Sequence, residues 1–337
     1  YLIMKNILVT GCAGFIGFHI SKKLLERNYF VIGIDNLNSY YDVKLKKSRL
    51  KSLKVNKKFK FYKGDIKNIK TLIKIFKEKK FSKIIHLAAQ PGVNYSFINP
   101  KSYIDNNLIG FANILELARK IKCKHLVFAS SSSVYGLNKK YPLREVDNVD
   151  HPISTYAATK KSNEIMAHVY AYNFNIKITG IRFFTVYGPY GRPDMSILKF
   201  INNIYKNKKI DVYNNGNNFR DFTFIDDVTD RLYFLLNYSK SYSKQKKKIY
   251  DPHESISNFK IFNIGNSKLI KMTNLIKLIE KNLNLSAKKV FLPKLRGDLQ
   301  KTFADNRELK KIMKNFKVTS YDEGIKKTID WYKKYKF

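Results

Sequence analysis

The apolar run KNILVTG (5–11) ends on a glycine and leads into CAGFIG, so glycines fall at 11, 14 and 17 just as a helical apolar pattern begins. An extended segment must stop there, turn where side chains would obstruct, and re-enter as a helix, which is the opening of a strand–helix–strand unit. The alternation then recurs. YFVIGID (29–35), KFKFYKGD (58–65), SKIIHLAA (82–89), KHLVFASS (124–131) and IKITGIRF (176–183) read as strands, with amphipathic helices over 14–27, 68–79, 100–121 and 155–173. This spacing predicts an α/β fold with a doubly wound parallel sheet of Rossmann type. Ligands would lie beyond the carboxyl ends of its strands.

The second half loses that rhythm. SYSKQKKKIYDPHES (241–255) reads as an exposed loop, KIFNIGN (260–266) as a further strand, and 272–283, 305–313 and 321–334 as helices. The expected division is a dinucleotide-binding domain over 1–183, with segments near 222–240 and 260–266 returning to it. A smaller C-terminal α/β lobe, mainly 184–337, would hold the substrate. The 337 residues, 44% of them hydrophobic, are enough for a sizeable core. No apolar run approaches the roughly 18 residues of a membrane span. YLIMKNILVTGCAGFIG has no basic region ahead of it and reads as structural rather than as a signal peptide, with Met4 a candidate start. Cys12 and Cys123 supply neither metal spacing nor a disulfide framework, so no metal is expected and a reducing cytoplasm fits.

The net charge is +39, from 65 Lys and Arg against 26 Asp and Glu. Clustered cations would point to nucleic acid. Here the lysines are spread along the whole chain, beside abundant Asn, Ile, Tyr and Phe, which reads as compositional bias. No nucleic-acid partner is expected, although the charge would still attract small anions.

Gly11, Gly14 and Gly17 follow GxxGxxG rather than GxGxxG spacing and would let a pyrophosphate approach the helix N-terminus closely. Asp35 ends the second strand, where a carboxylate can accept both ribose hydroxyls and repel a 2′-phosphate, so NAD is favoured over NADP. Asp65, Ala88, Ala89 and Gln90 lie on the same predicted rim. Tyr156 and Lys160 in YAATK are four apart, on one helix face. A phenol is a poor base near neutrality, and an ammonium beside it favours the phenolate. A serine hydroxyl at the end of the fifth strand can hold a substrate oxygen against that tyrosine.

Together, GCAGFIG, Asp35, HLAAQ (86–90), the serine-ended fifth strand, YAATK and RFFTVYGP (182–189) resemble the extended short-chain dehydrogenase/reductases over nearly the whole chain. The resemblance implies a nucleotide-sugar enzyme with tightly held NAD. It also implies a homodimer built on helices near 100–121 and 155–173; no membrane partner is expected, given the lack of a long apolar run. Its cofactor positions map onto Gly11, Gly14, Phe15, Ile16, Gly17, Asp35, Asn36, Asp65, Ile66, Leu87, Ala88, Ala89, Gln90, Ser130, Tyr156, Lys160 and Phe183. Asn107 is implied to support the Tyr156–Lys160 pair through water. Sugar 4,6-dehydratases of this family carry an Asp–Glu pair in the segment after the fifth strand, and the UDP-glucuronate decarboxylases carry a Glu just before Val-Tyr-Gly. This chain has Ser132 and Ser133 there. Without an acid the site keeps only hydride chemistry, and a ketone at sugar carbon 4 must be reduced again, which is 4-epimerisation.

TVYGPYGRPDM (185–195) is similar to the UDP-glucuronate 4-epimerases. That similarity implies Arg192 on the uronate carboxylate, with Ser132, Ser133 and Thr185 bonding its oxygens. NGNNFRDFTFIDD (215–227) and LRGDLQKTFAD (295–305) resemble the diphosphate and ribose clamps, through Arg220, Arg296 and Asp298. Asn94, where that group has Arg, and LRGD in place of QPGD depart from its pattern. The expected reaction is NAD-dependent conversion of UDP-glucuronate to UDP-galacturonate, with Tyr156 moving the proton, Lys160 tuning it and Ser131 holding the 4-oxygen. The alternatives are a 4-epimerase of neutral or N-acetylated UDP-hexoses, an oxidoreductase with net redox, and a non-catalytic nucleotide- or RNA-binding Rossmann protein.

Overall fold

The computed structural model describes residues 6–243, 250–295 and 297–335. Seven strands form one parallel sheet: β1 (Asn6–Thr10), β2 (Phe30–Asp35), β3 (Phe59–Lys63), β4 (Lys83–His86), β5 (His125–Ala129), β6 (Ile178–Phe183) and β7 (Phe259–Ile264). Their spatial order is β7-β6-β5-β4-β1-β2-β3. The direction of winding reverses between β1 and β4, and the crevice outside that reversal is where doubly wound sheets bind ligands. Strand residues alternate between two apolar layers. Ile7 and Val9 join one core and Leu8 the other, and all three are at most 1% exposed. The main helices are α1 (Phe15–Glu26), α2 (Val43–Lys54), α3 (Ile69–Glu78), α4 (Gly110–Lys120), α5 (Thr155–Phe174) and α6 (Ile225–Asn237).

Several expectations are corrected. The helix expected over 100–121 is a turn at Pro100–Tyr103, a π-helical stretch at Ile104–Ile109, then α4. α2 and the helix Ser196–Tyr205 were not expected. Lys209–Tyr213 and Lys288–Leu292 pair as a separate parallel two-stranded sheet. The 241–255 stretch is not simply an exposed loop. Residues 244–249 lie outside the described residues, but Tyr242, His253, Glu254 and Ser255 are buried. The lysine Lys260 pairs with both Glu254 (2.9 Å) and Glu308 (2.8 Å).

A polar chain runs through the sheet at β5 and β6. Thr179 Oγ1 lies 3.0 Å from the Tyr242 hydroxyl and 2.8 Å from His125 Nε2, while His125 Nδ1 lies 3.1 Å from the Leu236 carbonyl. With the buried imidazole neutral, Nδ1 donates to the carbonyl, Thr179 donates to Nε2, and Tyr242 donates to Thr179. Burial pushes the His125 pKa down to about 3. The unfolded chain therefore takes up the extra proton below pH 6.5, and stability falls as pH drops through the window from about 6.5 to about 3. Other groups oppose this. Burial pushes the Glu145 carboxyl up to about 7, so the folded state takes that proton first. The stability difference between wild type and His125→Gln cancels such groups. That difference is expected to shift by about 2 kcal/mol against the wild type between pH 6.5 and 5. Urea unfolding at both pH values measures it, and an unchanged difference would disprove the neutral assignment.

Candidate active site

β1 delivers the chain to Gly11 in a left-handed conformation (φ 71°). A Cβ on Gly17 would lie 2.0 Å from the Gly11 carbonyl oxygen, so only glycine lets α1 begin this close to the turn. The N-cap Gly14 makes no side-chain bond. The first amides of α1 therefore face an open cradle suited to a pyrophosphate. Asp35 closes the far side. Its Oδ2 accepts from the Ala13 amide (3.1 Å) and its Oδ1 from Leu37 (2.8 Å), fixing the carboxylate with lone pairs to spare for a ribose diol. These residues fit the adenosine and pyrophosphate of NAD.

The reaction end is built by β5, α5 and the chain after β6. Ser131 caps the short 3-10 turn Ser132–Tyr135, its Oγ accepting from the Ser133 amide at 3.1 Å. Ser154 caps α5 by accepting from Ala157 (3.2 Å), which places Tyr156 in the first turn and Lys160 one turn on. Small residues at Ala157, Ala167 and Ala171 let α5 lie close to the sheet. Beneath the serines, buried Glu164 receives Arg182 through two bonds of 2.9 Å and the Ser130 hydroxyl at 2.6 Å. One carboxylate thus ties β5, β6 and α5 together.

Burial raises the Tyr156 pKa, and a hydrogen bond with Ser131 and the charge of Arg192 pull against it. Lys160 Nζ donates to the Ala129 carbonyl at 2.8 Å, and burial pushes its pKa down to about 8. Arg192 thus adds a second cation near the phenol, beside the Lys160 expected from the sequence. Arg192 itself is gripped through Nε and Nη2 by Asp194, at 3.0 and 2.5 Å.

One cleft of about 370 Å³ gathers these groups. Of the residues singled out from sequence, it is lined by Gly11, Gly14, Phe15, Ile16, Gly17, Asp35, Asn36, Ile66, Leu87, Ala88, Ala89, Ser130, Ser131, Ser132, Ser133, Tyr156, Lys160, Phe183, Thr185 and Arg192. The other described ones do not line it. Asp65 sits just behind Asn36, accepting from its amide at 3.2 Å. Gln90 is buried, and Asn107 bonds its backbone amide (2.8 Å) and carbonyl (3.2 Å) and the Thr159 hydroxyl (3.1 Å). Both amide protons of Asn107 are used there, so its side chain has no proton left to donate to a water chain. Arg220 and Asp298 are brought together, at 2.7 Å, outside the lining. Arg296 lies outside the described residues. Tyr40, Lys46, Gly92 and Met195 also line the cleft and were missed. Tyr40 and Gly92 follow the ends of β2 and β4, the position that a doubly wound sheet reserves for ligand contacts. Asp35 is the one acid among the described lining residues, and it stands at the adenosine end.

The family model for the NAD dependent epimerase/dehydratase family matches residues 7–264, from the first strand of the sheet to the last. Protein CapI of Staphylococcus aureus is 44% identical over 331 residues, covering 98% of this chain and 99% of that one. A probable UDP-glucuronate 4-epimerase of Rhizobium meliloti is 41% identical over 328 residues, 96% of each chain. Among solved structures, a UDP-glucuronic acid 4-epimerase from Bacillus cereus in complex with UDP-glucuronic acid and NAD superposes with a TM-score of 0.86. It is 32% identical, over 98% of this chain and 99% of that one. With the family model matching most of its length and these relatives covered almost end to end, the chain belongs to the NAD dependent epimerase/dehydratase family.

Proposed function

We propose that the protein is an NAD-dependent nucleotide-sugar 4-epimerase that converts UDP-glucuronate to UDP-galacturonate. The observation that carries this reading is a reaction end with a phenol, an ammonium, three serine hydroxyls and a guanidinium, and no acid among the described residues there. Elimination and assisted decarboxylation need a carboxyl group beside the sugar, whereas reversible oxidation at carbon 4 does not. NAD, when bound, supplies a hydride acceptor that also returns the hydride.

Tyr156 takes the proton of the 4-hydroxyl and gives it back, in the pocket where the Ser131 bond and the Arg192 charge oppose the effect of burial. Ser131 fixes the 4-oxygen against the phenol. Lys160, anchored on the Ala129 carbonyl, keeps its ammonium at the base of the site and holds the cofactor ribose. Arg192, Ser132, Ser133 and Thr185 receive the uronate carboxylate, donating hydrogen bonds without adding negative charge. Held away from alignment with the 4-ketone, that carboxylate does not depart as carbon dioxide. Arg220, Arg296 and Asp298 serve the diphosphate and ribose. The domain division at 183/184, a cytoplasmic location and a homodimer belong to the same reading. Exposed Ile104, Ile109, Ile165, Val169 and Tyr172 on the 104–120 and α5 helices support the dimer, and sedimentation of the purified protein tests it.

Incubation of the protein with NAD and UDP-glucuronate, followed by chromatography, is expected to yield UDP-galacturonate with no standing NADH. UDP-xylose, a 4-keto-pentose, or NADH that accumulates with substrate would refute the reading.

A further inference from the structure

Arg192 lines the cleft while Asp194, two residues on, stands outside it. A guanidinium has two faces that can each take a carboxylate in a fork: the side formed by Nε and one terminal nitrogen, and the end formed by both terminal nitrogens. Asp194 occupies the side face of Arg192, Oδ1 on Nε at 3.0 Å and Oδ2 on Nη2 at 2.5 Å. Among the described residues Nη1 has no acceptor. The same carboxylate is held from behind, because the Tyr40 hydroxyl donates to Oδ2 at 3.3 Å and the Tyr40 ring lies under the guanidinium, 5.8 Å from centroid to Cζ. Tyr40 in turn packs close to Gly92, where a Cβ would fall 2.4 Å from its hydroxyl.

The backbone before Arg192 is fixed independently. Fully buried Arg49 donates to the Tyr190 carbonyl (2.6 Å) and the Gly191 carbonyl (3.2 Å), and also to the Ala13 carbonyl of the cofactor loop (2.8 Å). Arg192 is thus held at its backbone by one group and at its side chain by another, with only its end face free.

Resting on the uronate reading above, we propose that Asp194, supported by Tyr40, is a specificity-determining positioning residue that turns the end face of Arg192 toward the carbon-6 carboxylate of the substrate. Asp194 touches neither sugar nor cofactor. It acts by fixing the plane of a side chain that would otherwise sample many rotamers, so that less freedom is lost when the uronate binds.

The test is kinetics and calorimetry on Asp194→Asn with UDP-glucuronate and with UDP-glucose, which has no carboxylate at carbon 6. The amide presents N–H to a guanidinium donor, so one bond of the fork becomes a repulsion while shape is kept. The KM for UDP-glucuronate is expected to rise about thirtyfold with kcat within about threefold. The Kd of UDP-glucose should stay within about twofold, which also reports an intact fold. Tyr40→Phe, losing only the supporting bond, should raise the same KM about threefold. An unchanged or lowered KM for UDP-glucuronate in Asp194→Asn would overturn the proposal, since Asp194 would then be a bystander or a competitor for Arg192. Equal losses for both sugars would overturn it too. Wild-type protein that leaves UDP-glucuronate untouched would remove the uronate reading and this one with it, whereas normal wild-type turnover beside an unaffected variant removes this one alone.

Discussion

Replacing Tyr156 by Phe is expected to lower kcat for UDP-glucuronate about a thousandfold, the loss of one positioned acid–base group. Binding of NAD and UDP-sugar should survive, because the ring stays packed edge-on to Tyr103, 6.0 Å between centroids. Among the described residues, the other charged groups named at the site are committed elsewhere. Lys160 is committed to the Ala129 carbonyl, Arg192 holds its proton well above neutrality because its pairing with Asp194 outweighs the cost of burial, and Asp35 is at the adenosine end. Product formation by chromatography gives kcat and calorimetry gives affinity. A variant that keeps more than about a tenth of wild-type kcat would mean that the proton moves by another route.

Arg182→Met is expected to destabilise the fold by about 3–5 kcal/mol. The guanidinium is 0% and its partner Glu164 3% exposed, so truncation strands a carboxylate that water cannot reach. The Ser130 hydroxyl remains on Glu164 but cannot offset a whole charge. Arg182 also bonds the Glu145 carbonyl (3.2 Å) and lies 4.8 Å over the Tyr135 ring, so packing is lost as well. Adding Glu164→Leu should recover part of the loss, since an apolar pair needs no desolvation of charge. Urea unfolding of the single and double variants measures this. A double variant less stable than Arg182→Met would contradict the account. The pair matters to chemistry because Ser131 directly follows β5 and α5 carries Tyr156 and Lys160, and Glu164 joins the two through Ser130.

What could be read in advance followed from local physics. The sheet was legible because buried parallel strands are continuous apolar runs, and the cofactor loop because glycine alone tolerates the contacts made at 11 and 17. α2 was hidden because it buries charge. Lys46 and Arg49 face inward, bonded to the Asn38 carbonyl (2.7 Å) and to loop carbonyls distant in sequence, so its apolar stripe shrinks to Leu45, Leu50 and Leu53. With α2 went Tyr40 and Lys46 in the cleft. The π-helical turns at Ile104–Ile109 have no signature in a pattern tuned to 3.6 residues. His253 and Glu254 look like loop residues until Lys260 and Glu308 are brought to them by the fold. Asp194 lies within TVYGPYGRPDM (185–195), yet its partnership with Arg192 is a matter of side-chain direction that spacing does not reveal.

The seventh strand reaches its place beside β6 only after a long excursion of the chain, from Phe183 to Phe259. During synthesis at about 5–20 residues per second, that interval lasts roughly 4–15 s. Throughout it, the ribbon Ile-Thr-Gly-Ile-Arg-Phe offers bare amides and carbonyls along one side, an invitation to any neighbouring nascent polypeptide. Ribosome stalling or early termination in that window therefore leaves a sticky fragment, and the last-arriving strand acts as the lid on self-association.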